Sequence, residues 1–84
     1  MKYSDGQEIK LGDIVCWTGS NPTERGIVIC LIDNDLFLNG YDFTTLKNEG
    51  GGIMVFFDDM GLVQIMRDDE PDIDLIERQN ISKS

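Results

Sequence analysis

The sequence predicts one small, mainly β domain folded as a strongly bent five-stranded antiparallel barrel. The chain has 84 residues, of which 40% are hydrophobic and 27% charged, enough for a single thin core that buries roughly 60% of the unfolded surface. Turn-forming residues divide it into short pieces. The pieces between turns are rich in β-branched and aromatic residues, which favour strands. Curling such short strands into a barrel buries one face and limits open edges.

The elements are predicted in chain order. Runs of β-branched or aromatic residues predict strands at 14–18, 26–32, 53–57 and 62–67. The last two form a tight hairpin in which Gly61 takes the positive φ that the turn requires. Around 42–48 we expect one short helical turn or an irregular excursion. Residues 72–78 fit either a closing strand or a 3₁₀ turn. The domain spans 1–84, with order expected from 3 to 78 and a frayed tail at 79–84.

Two predicted strands carry apolar residues on both faces. Phe56 and Phe57 are adjacent, so they point to opposite faces and cannot both enter one core. The strand at 26–32 alternates Val28, Cys30 and Ile32 against an equally apolar set, Ile27, Ile29 and Leu31. We expect the segment 36–47 to cover the outer face; the alternative is a partner protein.

The composition excludes several functions. The chain has 16 acidic and 7 basic residues, a net charge of -9 and no histidine. Without histidine there is no imidazole base, Ser-His-Asp triad or His-containing zinc site, and we predict no catalysis and no cofactor. So negative a chain disfavours direct binding to nucleic acid or anionic membranes. Its apolar runs are too short to span a bilayer.

The cysteines and the first residues bear on location. Residues 1–8 lack the apolar core of a signal peptide, so we expect a cytoplasmic protein. Cys16 and Cys30 are then expected to be reduced and buried. A hairpin turning near 21–24 would place the two cysteines opposite each other, so a disulfide stays an alternative.

Acidic and aromatic side chains are the candidate partner-binding residues. Eight of the sixteen carboxylates lie within residues 58–77. Such a cluster indicates either a cationic partner or a solubilising surface, and the sequence favours neither over the other. The hairpin would separate two groups of them. Asp33-Asn34-Asp35 resembles a calcium loop only in part, because Phe37 and Leu38 occupy later ligand and turn positions, and no metal site is predicted. The candidates are Asp33, Asp35, Asp58, Asp59, Asp68, Asp69, Glu70, Asp72, Trp17, Tyr41 and Phe43.

Short motifs carry a resemblance to a known fold. Ile9-Lys10-Leu11-Gly12-Asp13-Ile14-Val15 resembles the opening of many small bacterial SH3-like domains, in which a Gly-Asp turn leads into the first barrel strand. Gly26-Ile27-Val28 resembles their second strand, which commonly reads Gly-apolar-Val. The resemblance implies an SH3-like barrel over roughly residues 5 to 78.

Further motifs resemble small bacterial immunity proteins encoded beside secreted antibacterial toxins. They are Tyr3-Ser4-Asp5-Gly6, Gly12-Asp13, Gly50-Gly51-Gly52-Ile53 and Leu75-Ile76-Glu77-Arg78. This resemblance implies a non-catalytic inhibitor that neutralises a cognate toxin domain. The acidic charge of the chain predicts that this toxin domain is basic, and we expect a monomer or a weak homodimer. Two alternatives stay open: an SH3-like peptide-binding or scaffold adaptor, and an acidic nucleic-acid mimic that blocks a DNA-binding protein.

Overall fold

Six antiparallel strands in one sheet form the framework of the fold. The computed structural model describes residues 2, 3, 5–17 and 25–78. The strands are β1 (Ile14–Trp17), β2 (Arg25–Leu31), β3 (Leu36–Phe37), β4 (Ile53–Phe57), β5 (Gly61–Ile65) and β6 (Ile73–Glu77). Two 3₁₀ turns, Ile32–Asn34 and Thr44–Asn48, complete the elements. The strand order is β5-β4-β2-β1-β6, with β3 paired to β2. The prediction of a mainly β domain is confirmed.

Most strand predictions agree with the structure to within about two residues, and β6 settles the choice at 72–78 in favour of a strand. Thr18 and the tail at 79–84 lie outside the described residues. The sequence predicted five strands and missed β3, which has two residues and pairs with the end of β2. Strand β3 follows Asp35, whose positive φ of 58° is part of the turn that brings the chain back antiparallel to β2. So short a pairing leaves no periodic signal in the sequence.

The β4–β5 hairpin forms as predicted. Phe57 pairs with Gly61 across the turn, and Gly61 has a φ of 76°. Side chains alternate along β4, so Phe57 is fully buried while Phe56 is 42% exposed. This confirms that the two aromatic rings lie on opposite faces.

The inner face of the sheet carries the main core. Its buried residues are Tyr3, Ile9, Val15, Val28, Leu31, Ile53, Val55, Phe57, Ile65 and Ile73. Trp17, which is partly buried, stacks on Phe57 with a ring-centroid distance of 5.0 Å. The two rings lie nearly parallel, with an interplanar angle of 12°, and Trp17 thereby packs against the inner core.

A second, outer cluster lies on the opposite face. It contains Ile29, Cys30, Ile32 and Met54 and is covered by Leu38, Phe43 and Leu46, so the prediction that 36–47 packs over the outer face is confirmed. The register between β2 and β4 shifts at Val28/Cys30. The strict alternation expected along β2 is therefore wrong, because this irregularity turns Ile29 and Cys30 toward the same cluster.

The covering segment contains the predicted helical turn. The 3₁₀ turn begins at Thr44 rather than Asp42, because the Asp42 carboxylate forms a local turn with Thr44 just before it. Asp42 Oδ1 accepts hydrogen bonds from Thr44 N at 3.0 Å and from Thr44 Oγ1 at 2.6 Å. These two bonds hold the pKa of Asp42 below its usual range.

The two cysteines are not opposite each other. Cys16 pairs with Arg25, and Cys30 pairs with Phe37 and Met54. Both are free thiols, so the disulfide alternative is wrong for this structure. Cys30 is buried, which raises the pKa of its thiol, whereas Cys16 is only partly buried. Within the described part of the chain, no helix is long and apolar enough to cross a membrane.

Candidate partner-binding site

Four of the predicted partner-binding residues meet in one groove. The groove has a volume of about 400 Å³ and is lined by Trp17, Val63, Gln64, Ile65, Asp69, Glu70 and Asp72. We call it the β5 groove. Strand β5, which supplies three of its residues, lies at one end of the strand order, and the acidic residues belong to the connection that leads to β6 at the other end.

The floor and rim of the β5 groove differ in chemistry. Trp17 and Val63 pack against the inner core and form an apolar floor. The rim carries Asp69, Glu70 and Asp72, all exposed, and none of these three makes an ion pair with a described cation. An indole face beside carboxylates suits a lysine or arginine side chain, whose alkyl stem packs on the ring while its charged end meets the acids.

Asp58 and Asp59 lie elsewhere, in the turn of the β4–β5 hairpin. Asp58 lines a second hollow of about 320 Å³ together with Ile14, Arg25, Gly26, Ile27, Phe56 and Glu77. We call it the outer hollow; it shares no lining residue with the β5 groove. Asp59 and Asp68 are exposed and line neither. The acidic candidates are therefore divided between separate surfaces, as the hairpin geometry predicted.

Asp33 and Asp35 hold ion pairs within the protein. Arg67 Nη2 donates to Asp33 Oδ1 at 2.6 Å and Arg67 Nε to Asp33 Oδ2 at 3.1 Å. Gly52 N also donates to Asp33 Oδ2, at 3.2 Å. The Arg67 guanidinium holds the pKa of Asp33 below its usual range. Asp35 accepts from Lys47 Nζ at 2.6 Å. In this structure both carboxylates pair with cations of the protein itself, and neither lines the β5 groove or the outer hollow.

The aromatic candidates also separate. Phe43 packs on the outer cluster and Tyr41 is 37% exposed, but neither lines the β5 groove. Trp17 alone joins the acidic residues, and its partial burial on Phe57 makes it a fixed platform rather than a projecting anchor.

The main charged residue that the sequence prediction missed is Asp13. Its side chain is fully buried and accepts four hydrogen bonds from three residues, one of them from Arg78 Nη2 to Oδ2 at 3.1 Å. Tyr3 Oη donates to Asp13 Oδ2 at 2.5 Å, Lys10 N to Oδ2 at 3.0 Å and Arg78 Nε to Oδ1 at 3.0 Å. Arg78 Nη2 adds a bond to Glu8 O at 2.8 Å. We call Tyr3, Asp13 and Arg78 the clasp.

The contacts within the clasp lower the pKa of Asp13 and raise the pKa of Tyr3. Burial alone would raise the pKa of Asp13, but the hydrogen bonds from Arg78, Tyr3 and the Lys10 amide outweigh it and hold the pKa below its usual range. Burial and the Asp13 carboxylate raise the pKa of the Tyr3 phenol far above its usual value. Tyr3, Asp13 and Arg78 each lie in one of the motifs quoted in the sequence analysis. The sequence does not show that they contact one another, because Asp13 and Arg78 are 65 positions apart.

Among the described residues, no three His, Cys, Asp or Glu side chains are placed to hold a metal ion. No protein-family model, curated protein or solved structure matches this chain. Its function is therefore inferred from its own surface and from the motifs described above.

Proposed function

We propose that this protein is a cytoplasmic, non-catalytic immunity protein that binds and neutralises a basic bacterial toxin domain through the β5 groove. The observation that carries the proposal is the meeting of Trp17 with Asp69, Glu70 and Asp72 in one groove. The motif resemblance supplies the toxin as the class of partner. We also propose that the sheet curls into an SH3-like barrel, with the β5 groove between the ends of the strand order.

The proposed mechanism has two steps. The net charge of -9 attracts a basic partner over a distance and accelerates encounter. Lysine or arginine side chains of the partner then enter the β5 groove, where the apolar floor excludes water and strengthens their attraction to the rim carboxylates. Inhibition follows because the bound domain covers the toxin's active site. Asp58, Asp59 and Asp68 act in the first step, through the long-range field.

The test is a calorimetric titration against the product of the adjacent toxin gene, with toxicity scored in parallel. The variant Asp69→Lys with Asp72→Lys is compared with Asp58→Lys with Asp59→Lys. Each double variant changes the net charge by the same amount, so the pair separates contact from long-range field. We expect the first to weaken binding about 100-fold, and the second only a few-fold, by analogy with close and distant charge pairs.

Three outcomes of this titration distinguish binding in the β5 groove from long-range attraction alone. Weakening confined to the groove variant, together with lost protection from the toxin, supports the proposal. Equal weakening by both variants would show that long-range electrostatic attraction alone, without contacts in the β5 groove, accounts for the effect of charge on binding. Unchanged binding in both, or binding that is insensitive to salt, would overturn the electrostatic mechanism.

A peptide-binding adaptor is the second candidate function. It is favoured by the position of β5 at the end of the strand order, beside the apolar floor, because an extended peptide can add to such an edge as a further strand. Binding of a peptide with little salt dependence would favour it. Nucleic-acid mimicry has less support, because the acidic side chains divide between the β5 groove and the outer hollow and form no single stripe.

A further inference from the structure

Among the described residues, the segment 36–47 covers one part of the outer face of the sheet and leaves another part partly exposed. Leu38, Phe43 and Leu46 cover the outer cluster. Beside it, a line of directly paired residues crosses the sheet from β5 to β1: Leu62 pairs with Phe56, Phe56 with Ile27, and Ile27 with Ile14. We call these four residues the outer row. On β6 the line ends at Glu77, which pairs with Ile14.

The outer row is apolar where a solvent-facing row of an antiparallel sheet is ordinarily polar. Leu62 is 49% and Phe56 is 42% exposed. Ile14 and Ile27 are partly buried and, with Phe56, line the outer hollow. Paired side chains on one face of a sheet lie about 5 Å apart at Cβ, so the row is contiguous. A contiguous apolar strip that is exposed at Phe56 and Leu62 and partly exposed at Ile14 and Ile27 is a candidate interaction surface.

The charged residues around the outer row indicate which kind of protein could bind there. Arg25, Asp58 and Glu77 line the same hollow, so both signs of charge border it, whereas the rim of the β5 groove is wholly acidic. A basic partner would meet Arg25 there, and an acidic one would meet Asp58 and Glu77. A second copy of this chain, related by a two-fold axis, brings each Arg25 to the acids of the other copy.

We propose that the outer row is the interface of a weak symmetric homodimer, in which Phe56 of each copy enters the outer hollow of the other. The surface is separate from the β5 groove, so a dimer leaves both grooves open to a partner. Four side chains bury less than the ~800 Å² per partner of a stable interface. Two copies at -9 also repel, so we expect a dissociation constant on the order of 100 µM that tightens as salt screens the repulsion.

Sedimentation equilibrium tests this proposal, from about 20 µM to about 1 mM protein at low and high salt. We expect a dimer that strengthens with salt and is weakened at least ~10-fold by Phe56→Ser. The matched control is Leu36→Ser, which removes an apolar side chain that is 50% exposed on β3. A monomer under every condition, or a dimer equally sensitive to both substitutions, would overturn the proposal.

A charge exchange provides the second variant and does not depend on removing apolar surface. At high salt, Arg25→Glu should weaken the dimer, and Arg25→Glu with Asp58→Lys and Glu77→Lys should restore it, because the opposite signs then meet again. A triple variant no better than the single one would show that these charges do not meet across a two-fold axis, and the proposed arrangement would be wrong. Circular dichroism of each variant confirms that the sheet is intact.

Discussion

The clasp and the rim of the β5 groove use the same kind of side chain in opposite ways. Asp13 is fully buried and accepts hydrogen bonds from Tyr3, the Lys10 amide and Arg78. The three rim carboxylates are exposed and make no ion pair with a described cation. The acidic residues that give the net charge of -9 are therefore of two kinds, buried and hydrogen-bonded or exposed and unpaired with a described cation. The presence of nearby hydrogen-bond donors, rather than the local density of acidic residues, distinguishes the two kinds.

The energetic difference between the two regions is large. A buried carboxylate costs several kcal/mol to desolvate, and charge-assisted hydrogen bonds must offset that cost. In the clasp those bonds join a residue near the start of the chain, the turn before β1 and the residue after β6. The rim carboxylates are exposed and make no ion pair with a described cation, so we expect them to add little to the stability of the fold. Substitutions in the two regions should thus change stability by very different amounts.

The largest effect is expected at Asp13. Asp13→Asn removes the charge that the Arg78 guanidinium needs and replaces one acceptor oxygen by an amide NH2 group, which faces an Arg78 N–H donor in either orientation. We expect the free energy of unfolding to fall by about 3 kcal/mol, as when one partner of a buried pair is removed. Urea denaturation measures this change, with Asp72→Asn as the matched control at an exposed rim position. A loss below about 1 kcal/mol would show that the clasp is not a principal support of the fold.

Tyr3 should give the clasp a signature at alkaline pH. Its pKa is raised in the folded state, so the stabilisation is present below the unfolded value of 10.0 and is lost as pH rises above it. Between pH 10 and pH 11 we expect the wild type to lose about 1 kcal/mol more than Tyr3→Phe, because only the unfolded chain ionises this phenol. Stability measured against pH in both proteins tests this, with Tyr41→Phe as control. Parallel curves for wild type and Tyr3→Phe would contradict it.

The sequence predicted much of the fold because strand formation depends on local composition. The β-branched runs located β1, β2, β4 and β5, and alternation alone placed Phe56 and Phe57 on opposite faces. Alternation failed to assign side chains to a face in β2, where both faces of the strand are apolar. Nothing local in β2 specifies the irregularity that turns Ile29 and Cys30 to one side, because it is set by pairing with β4.

The candidate site was less predictable, because it depends on distant residues meeting. Asp69, Glu70 and Asp72 were predicted from acidic density, but their partnership with Trp17 required the strand order. Asp13 and Arg78 are 65 positions apart, and isolated acids near glycine are ordinarily turn residues. Asp33 was assigned to a partner for the same reason: the sequence showed its charge but not Arg67, 34 positions away.

The smallest change in stability is expected at the rim, and it is the sharpest test of the distinction between the two regions. Asp69→Asn with Asp72→Asn removes two carboxylates that repel their neighbours and have no described cation beside them. The free energy of unfolding should stay within about 0.5 kcal/mol of the wild type, or rise slightly, while affinity for a basic partner falls. Urea denaturation and titration of the same sample measure both quantities. If this variant were destabilised as strongly as Asp13→Asn, the rim acids would be part of the folded framework. A surface whose charges are dispensable for folding and needed for binding is one maintained for a partner.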